Sequence, residues 1–175
     1  MAMTESKENI MIRRPMAEDY PLIFKFVKET SPGNRNTFGE HEWNEFNFED
    51  ETFESMMETF GKGNIILGFI DEVLSGIVIL TQRHQEKYKH VGNLTLSLLN
   101  LELMDTIGKE LISRMLLACK SKGIIRKVNL QVREHLFHTQ EIYKSLGFYE
   151  EGTLARDICA NGMFFSTILY GRSID

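Results

Sequence analysis

The chain is poor in the residues that staple or break a fold. Its 175 residues include two cysteines, Cys119 and Cys159, and three prolines. No CxxC pair and no Cys/His grouping with zinc spacing is present, which excludes a disulfide scaffold and a structural zinc site. The two thiols read as reduced, and no metal is expected. No apolar run approaches the roughly 20 residues that span a bilayer. Residues 1–9 are polar and charged, without the apolar stretch of a signal peptide. The expectation is a cytoplasmic protein with a flexible start at 1–9 and no membrane partner. Basic charge is not in excess either. A net charge of −5 argues against a general nucleic-acid binder. Repeats, low-complexity tracts and linkers are absent, so 1–175 reads as one domain.

What is present is an ordinary globular pattern, 42% apolar, large enough to bury a core of its own. Ile10 to Arg14 reads as a first strand, stopped by Pro15, with Asp19 placed to cap a helix over Tyr20 to Thr30. Ser31-Pro32-Gly33-Asn34 is a break. Glu40 to Phe60 has a helical, acidic pattern. Ile65 to Ile70 and Leu74 to Thr81 flank Asp71-Glu72 as a hairpin, and Asn93 to Leu99 alternates as a fourth strand. Ile107 to Ser121 is the strongest helix, with Ile107, Leu111, Met115 and Ala118 in one row and Gly123 as its cap. Lys127 to Val132 is a strand and His135 to Leu146 a helix. Phe148 to Asp157 and Phe164 to Gly171 are strands joined at Asn161-Gly162. The order β-α-α-β-β-β-α-β-α-β-β implies a mixed sheet with helices on its faces, an α/β (α+β) architecture with parallel pairing in its second half.

The start of the long helix is the first place with chemistry. A helix start offers unpaired amides and the positive end of the dipole, a setting that suits a phosphate. Here it reads Leu103-Met104-Asp105-Thr106-Ile107-Gly108-Lys109. Gly108 and Lys109 fit an anion, and Thr106 can cap or donate. Asp105 counts against an anion unless it turns away. By local physics a plain capped helix stays open as an alternative.

The second half carries a resemblance. Ile124 to Gly152 reads IIRKVNLQVREHLFHTQEIYKSLGFYEEG, with Tyr143, Leu146, Gly147 and Phe148 as Tyr-x-x-Leu-Gly-Phe, then Glu150, Glu151 and Gly152. This closely resembles the GNAT acetyltransferases. The opening IRRPMAEDYPLIFKFVKE and the last hairpin from Asn161-Gly162 to Gly171 are similar to that family too. The resemblance implies a GNAT-like acyl-CoA N-acyltransferase fold. It further implies transfer of an acetyl group from acetyl-coenzyme A to a primary amine of a small molecule or protein N-terminus. The family's cofactor signature, Arg/Gln-x-x-Gly-x-Gly/Ala, is incomplete: Leu103 and Thr106 replace two signature residues and only Gly108 is kept. The resemblance places the diphosphate on the amides of Met104, Asp105, Thr106, Ile107, Gly108 and Lys109. It implies a bulge near Leu96 to Leu99, with Leu98 beside the pantetheine arm. It puts Leu136 where the family often has asparagine.

Tyr143 is the expected catalytic residue. Expulsion of a thiolate is helped by a proton donor, and a phenol with a pKa of about 10 is protonated at neutral pH. In the family the matching tyrosine faces the cofactor sulfur. The plain alternative is a packed tyrosine with a bonded hydroxyl. No base is assigned: Glu134, His135 and His90 are candidates, and a water chain would also serve. Lys120, Lys122, Arg126 and Lys127 cluster, either to reach a 3′-phosphate or as a solvated surface. Glu40 to Glu58 is acidic and free of Lys and Arg, with Trp43, Phe46, Phe48 and Phe53 interleaved. It reads either as a field for a cationic acceptor or as a solvated helix face with its aromatics in the core. The rival to an active enzyme is a non-catalytic coenzyme-A-binding or regulatory module. A homodimer is left open.

Overall fold

The computed structural model describes residues 8–30, 48–61 and 63–175. Strands are β1 (Ile10–Arg13), β2 (Ile65–Ile70), β3 (Val73–Gln82), β4 (Val91–Leu98), β5 (Lys127–Arg133), β6 (Tyr149–Ala160) and β7 (Met163–Ser173). Helices are α1 (Tyr20–Thr30), α2 (Phe53–Phe60), α3 (Ile107–Lys122) and α4 (Phe137–Ser145). The seven strands form one sheet in the order β1-β2-β3-β4-β5-β7-β6. Its one parallel pair is β4 with β5, joined by the α3 crossover. β7 inserts between β5 and β6, so the β5-α4-β6 run makes no second parallel pair.

Turn chemistry sets the hairpins. Asp71 and Glu72 both have positive φ, as do Asn161 and Gly162, the conformation that two-residue hairpins need. Gly123 ends α3 in the left-handed conformation, with its amide on the Cys119 carbonyl. Two packing layers enclose the sheet. On one face α3 and α4 bury Leu96, Leu98, Leu130 and Val132 with Ile107, Leu111, Met115 and Tyr143. On the other, α1 and α2 pack Ile23, Phe26, Met56 and Phe60 onto Leu67, Ile77 and Ile79. α3 comes close because Gly68 and Gly76 lie beneath it. An added Cβ would fall 2.6 Å from Ile107 Cδ1 at Gly68 and 2.8 Å from Leu111 Cδ1 at Gly76.

Three expectations are corrected here. Asp19 does not cap α1. It sits in a short 3-10 turn, Ala17–Asp19, where it accepts the Met16 amide at 2.7 Å and both Arg13 guanidinium nitrogens at 2.6 and 2.8 Å. The helical reading of Glu40 to Phe60 fails for Phe48 to Thr52, which form a turn and the Thr52 cap of α2. The Thr52 and Ser55 side chains exchange hydrogen bonds there and fix the later start. No bulge interrupts β4, whose register with β3 runs unbroken from Gly76–Leu98 to Gln82–Gly92. The break at Ser31 to Asn34, most of the flexible start, and Glu40 to Asn47 with Trp43 and Phe46 lie outside the described residues.

Candidate active site

β4 and β5 pair only from Val91–Lys127 to Asn93–Asn129. Beyond that rung β4 stays on β3 as far as Leu98, and β5 stays on β7 as far as Arg133. The two strands therefore diverge, leaving a wedge about 13 to 17 Å deep between facing edges. This divergence, rather than a bulge, frees backbone groups on β4. The wedge closes at Asn93 and Asn129 and opens toward the start of α3, where an added Gly108 Cβ would stand 3.1 Å from Leu98 Cδ1.

At that open end the chain makes a 3-10 turn, Leu101–Met104, capped by Asn100, whose side chain accepts the Glu102 amide at 3.0 Å. The first backbone bond of α3 runs from the Glu110 amide to the Thr106 carbonyl, 3.3 Å. Among the described residues, the amides of Asp105, Thr106 and Lys109 make no backbone hydrogen bond. Unpaired donors at the positive end of a helix suit an anion. The residues present fit a diphosphate through backbone groups, without the missing signature side chains.

A GNAT-family acetyltransferase from Streptococcus pneumoniae superimposes over 95% of this chain and 100% of its own, with a TM-score of 0.80 at 20% identity. The fold is that of the GNAT acetyltransferases. A GNAT-superfamily phosphinothricin acetyltransferase from Sinorhizobium meliloti, in complex with acetyl-CoA, matches over 94% of this chain and 88% of its own (TM-score 0.76, 18% identity). A ribosomal-protein-alanine N-acetyltransferase from Brucella melitensis matches over 93% and 99% (TM-score 0.75, 14% identity). No family model matches the chain, and no curated protein sequence does.

The GNAT frame places the expected residues as follows. Leu98 and Met104 are fully buried, so their side chains belong to the core. Ile107 and Gly108 are also buried, while Asp105, Thr106 and Lys109 are exposed. Thr106 does not cap the helix with its hydroxyl, which donates to the Leu103 carbonyl at 3.3 Å. Asp105 turns to His138 on α4 and bonds its ring Nε2. Leu136 forms the cap position of α4 and packs against the α3/α4 core.

Tyr143 is 1% exposed, with ring contacts to Phe148 at 6.1 Å and Tyr170 at 6.2 Å. It shares its buried cluster with Leu96 and Leu98 of β4 and Leu130 and Val132 of β5, the strands that form the wedge. Its hydroxyl makes no hydrogen bond to a described residue. Burial raises its pKa above the ordinary phenol value, which keeps the proton on.

The base candidates do not converge. His90 stands before β4 at the closed end of the wedge. Glu134 accepts the Ser166 amide at 2.7 Å, and the His135 ring packs on Phe165 at 5.2 Å. The basic cluster disperses: Lys127 pairs with Glu151 at 2.7 Å and Arg126 with Asp175 at 3.4 Å. In the described part of the acidic segment, Phe48 stacks on Phe24 at 5.5 Å while Glu49, Glu51, Glu54 and Glu58 are exposed. That part is a solvated face over buried aromatics. Sequence reasoning missed His138, Asn129 and Asn93. The Asp105–His138 contact joins residues 33 apart and has no periodic signal. Among the described residues no group of three His, Cys, Asp or Glu side chains could hold a metal, and no helix is long and apolar enough to cross a membrane.

Proposed function

We propose that the chain transfers an acetyl group from acetyl-coenzyme A to a primary amine of a small molecule or a protein N-terminus. The observation that carries this reading is the helix start at the open end of the β4/β5 wedge, where the Asp105, Thr106 and Lys109 amides lack a backbone partner among the described residues. Those amides would hold the diphosphate, and the free edge of β4 would bond the arm of the cofactor. When bound, acetyl-CoA supplies a thioester as the acyl donor. The chain's part is to place that group and manage protons. Tyr143 gives its proton to the departing sulfur as the nitrogen–carbon bond forms and the carbon–sulfur bond breaks. The proton shed by the nitrogen returns to the phenolate through water, which leaves the side chains unchanged after a turnover.

Thiol release measured over a panel of amines at low and high salt tests the reading. Release with at least one amine, saturating in acetyl-CoA, is the expected result. The cationic-acceptor idea requires cationic amines to lead and salt to weaken them. A second reading, a coenzyme-A-binding module without turnover, is favoured by the Asp105 carboxylate beside the cradle. Cofactor binding without thiol release from any amine would select it.

A further inference from the structure

Side chains alternate along a strand. Leu94, Leu96 and Leu98 of β4 and Val128, Leu130 and Val132 of β5 all enter the α3/α4 cluster with Tyr143. Asn93, Thr95 and Ser97, with Asn129 and Gln131, therefore line the opposite face of the wedge. All are uncharged and polar. Asn93 and Asn129 are directly opposed on the last rung before the strands part. The Asn129 Oδ1 is the one buried side-chain polar atom, among the described residues, without a hydrogen-bond partner. An orphaned carbonyl oxygen of this kind is costly to keep, and it is satisfied by whatever donor reaches it, a water or a ligand N–H. Of the charges on this face, Lys127 and Glu151 neutralise one another at 2.7 Å, and the cation Arg133, in step with Asn129 and Gln131 on β5, stands toward the mouth of the wedge. The Glu151 carboxylate also lies across Gly171, the strand partner of Asn129.

We propose that Asn129 receives the acceptor's N–H at the vertex of the wedge and orients the nitrogen toward the thioester. The acceptor class would then carry uncharged hydrogen-bonding groups, hydroxyl or amide, beside its amine rather than further cationic groups. This rests on the acetyl-transfer reading. Tyr143, on the α3/α4 face, then stands on the sulfur side and Asn129, on the other face, on the nitrogen side. Asn129 is a positioning group, because a carboxamide takes no proton.

The test uses the full chain with Asn129→Leu and Asn129→Asp. Thiol release is followed with glucosamine, a seryl dipeptide and spermidine, and acetyl-CoA affinity and melting are measured beside it. The wild type should favour glucosamine or the dipeptide over spermidine. Asn129→Leu removes an unsatisfied buried group, so it should melt at the same temperature or higher. Its kcat/KM for the favoured acceptor should fall about tenfold or more while acetyl-CoA affinity stays within about twofold. Asn129→Asp keeps the accepting oxygen and adds charge, so it should tilt preference toward spermidine. An unchanged kcat/KM in Asn129→Leu, an equal loss of cofactor affinity, or a wild-type preference for spermidine would each overturn the proposal and leave acetyl transfer standing. A wild type that neither binds acetyl-CoA nor releases thiol sinks both together.

Discussion

At the scale of single residues, Tyr143 and Asp19 are both buried polar groups with opposite duties. The Tyr143 hydroxyl makes no hydrogen bond to a described residue, so Tyr143→Phe should leave the melting temperature nearly unchanged. If the phenol is the proton donor, kcat should fall by about 100-fold or more, with acetyl-CoA affinity little altered. Equal loss in both would argue for a packing role. Asp19 is 2% exposed and held by the Arg13 guanidinium, which keeps its carboxyl below the ordinary range. Replacing it with Asn strands Arg13 and should cost about 2 kcal/mol or more. The linkage sign follows from the lowered folded pKa. The stabilisation is complete above the unfolded value of about 4 and drains away as pH falls through the folded one. Melting scans from pH 7 to 3 should show the wild type converging on Asp19→Asn at the acid end. A constant gap would refute the assignment.

At the scale of elements, the site depends on how closely α3 lies on the sheet. Gly76→Ala would put a Cβ 2.8 Å from both Leu111 Cδ1 and Leu98 Cδ2. Overpacking of this kind costs about 1 to 3 kcal/mol. It should also shift the start of α3 and weaken acetyl-CoA binding beyond the loss in stability, which titration calorimetry would read. Asp105→Asn removes a negative charge from the same helix start. It should tighten acetyl-CoA binding by about two- to fivefold at low salt, since such charges are worth about 0.3 to 1 kcal/mol. These elements were legible to different degrees. α1, the β2/β3 and β6/β7 turns and the Gly123 cap were readable because each is a local contest among neighbouring residues. The late start of α2 was not, because the Thr52–Ser55 exchange outweighs the apolar pattern before it. The wedge could not be seen at all. It arises because β4 and β5 answer to different partners, β3 and β7, and no spacing in the chain records where those loyalties divide. For the same reason Tyr143 was found through its motif, whereas Asn129 sits in a stretch that reads as an ordinary alternating strand.

At the scale of the whole molecule, cofactor binding is linked to folding. A ligand that binds only the folded chain stabilises it by about 2.7 kcal/mol at 100 times its dissociation constant. For a domain of this size each kcal/mol is worth about 2 to 4 °C, so saturating acetyl-CoA should raise the melting temperature by about 5 to 11 °C. The gain should rise with the logarithm of concentration rather than reach a plateau, because mass action has no ceiling once the site is filled. Free adenosine carries no diphosphate and should produce little of it. If the helix start with the unpaired Asp105, Thr106 and Lys109 amides holds the diphosphate, inorganic pyrophosphate alone should reproduce part of the shift, and added salt should erode that part first. A chain that melts at one temperature whatever the coenzyme-A concentration would mean that these amides face only water. The wedge would then be a feature of the fold with no cofactor to fill it.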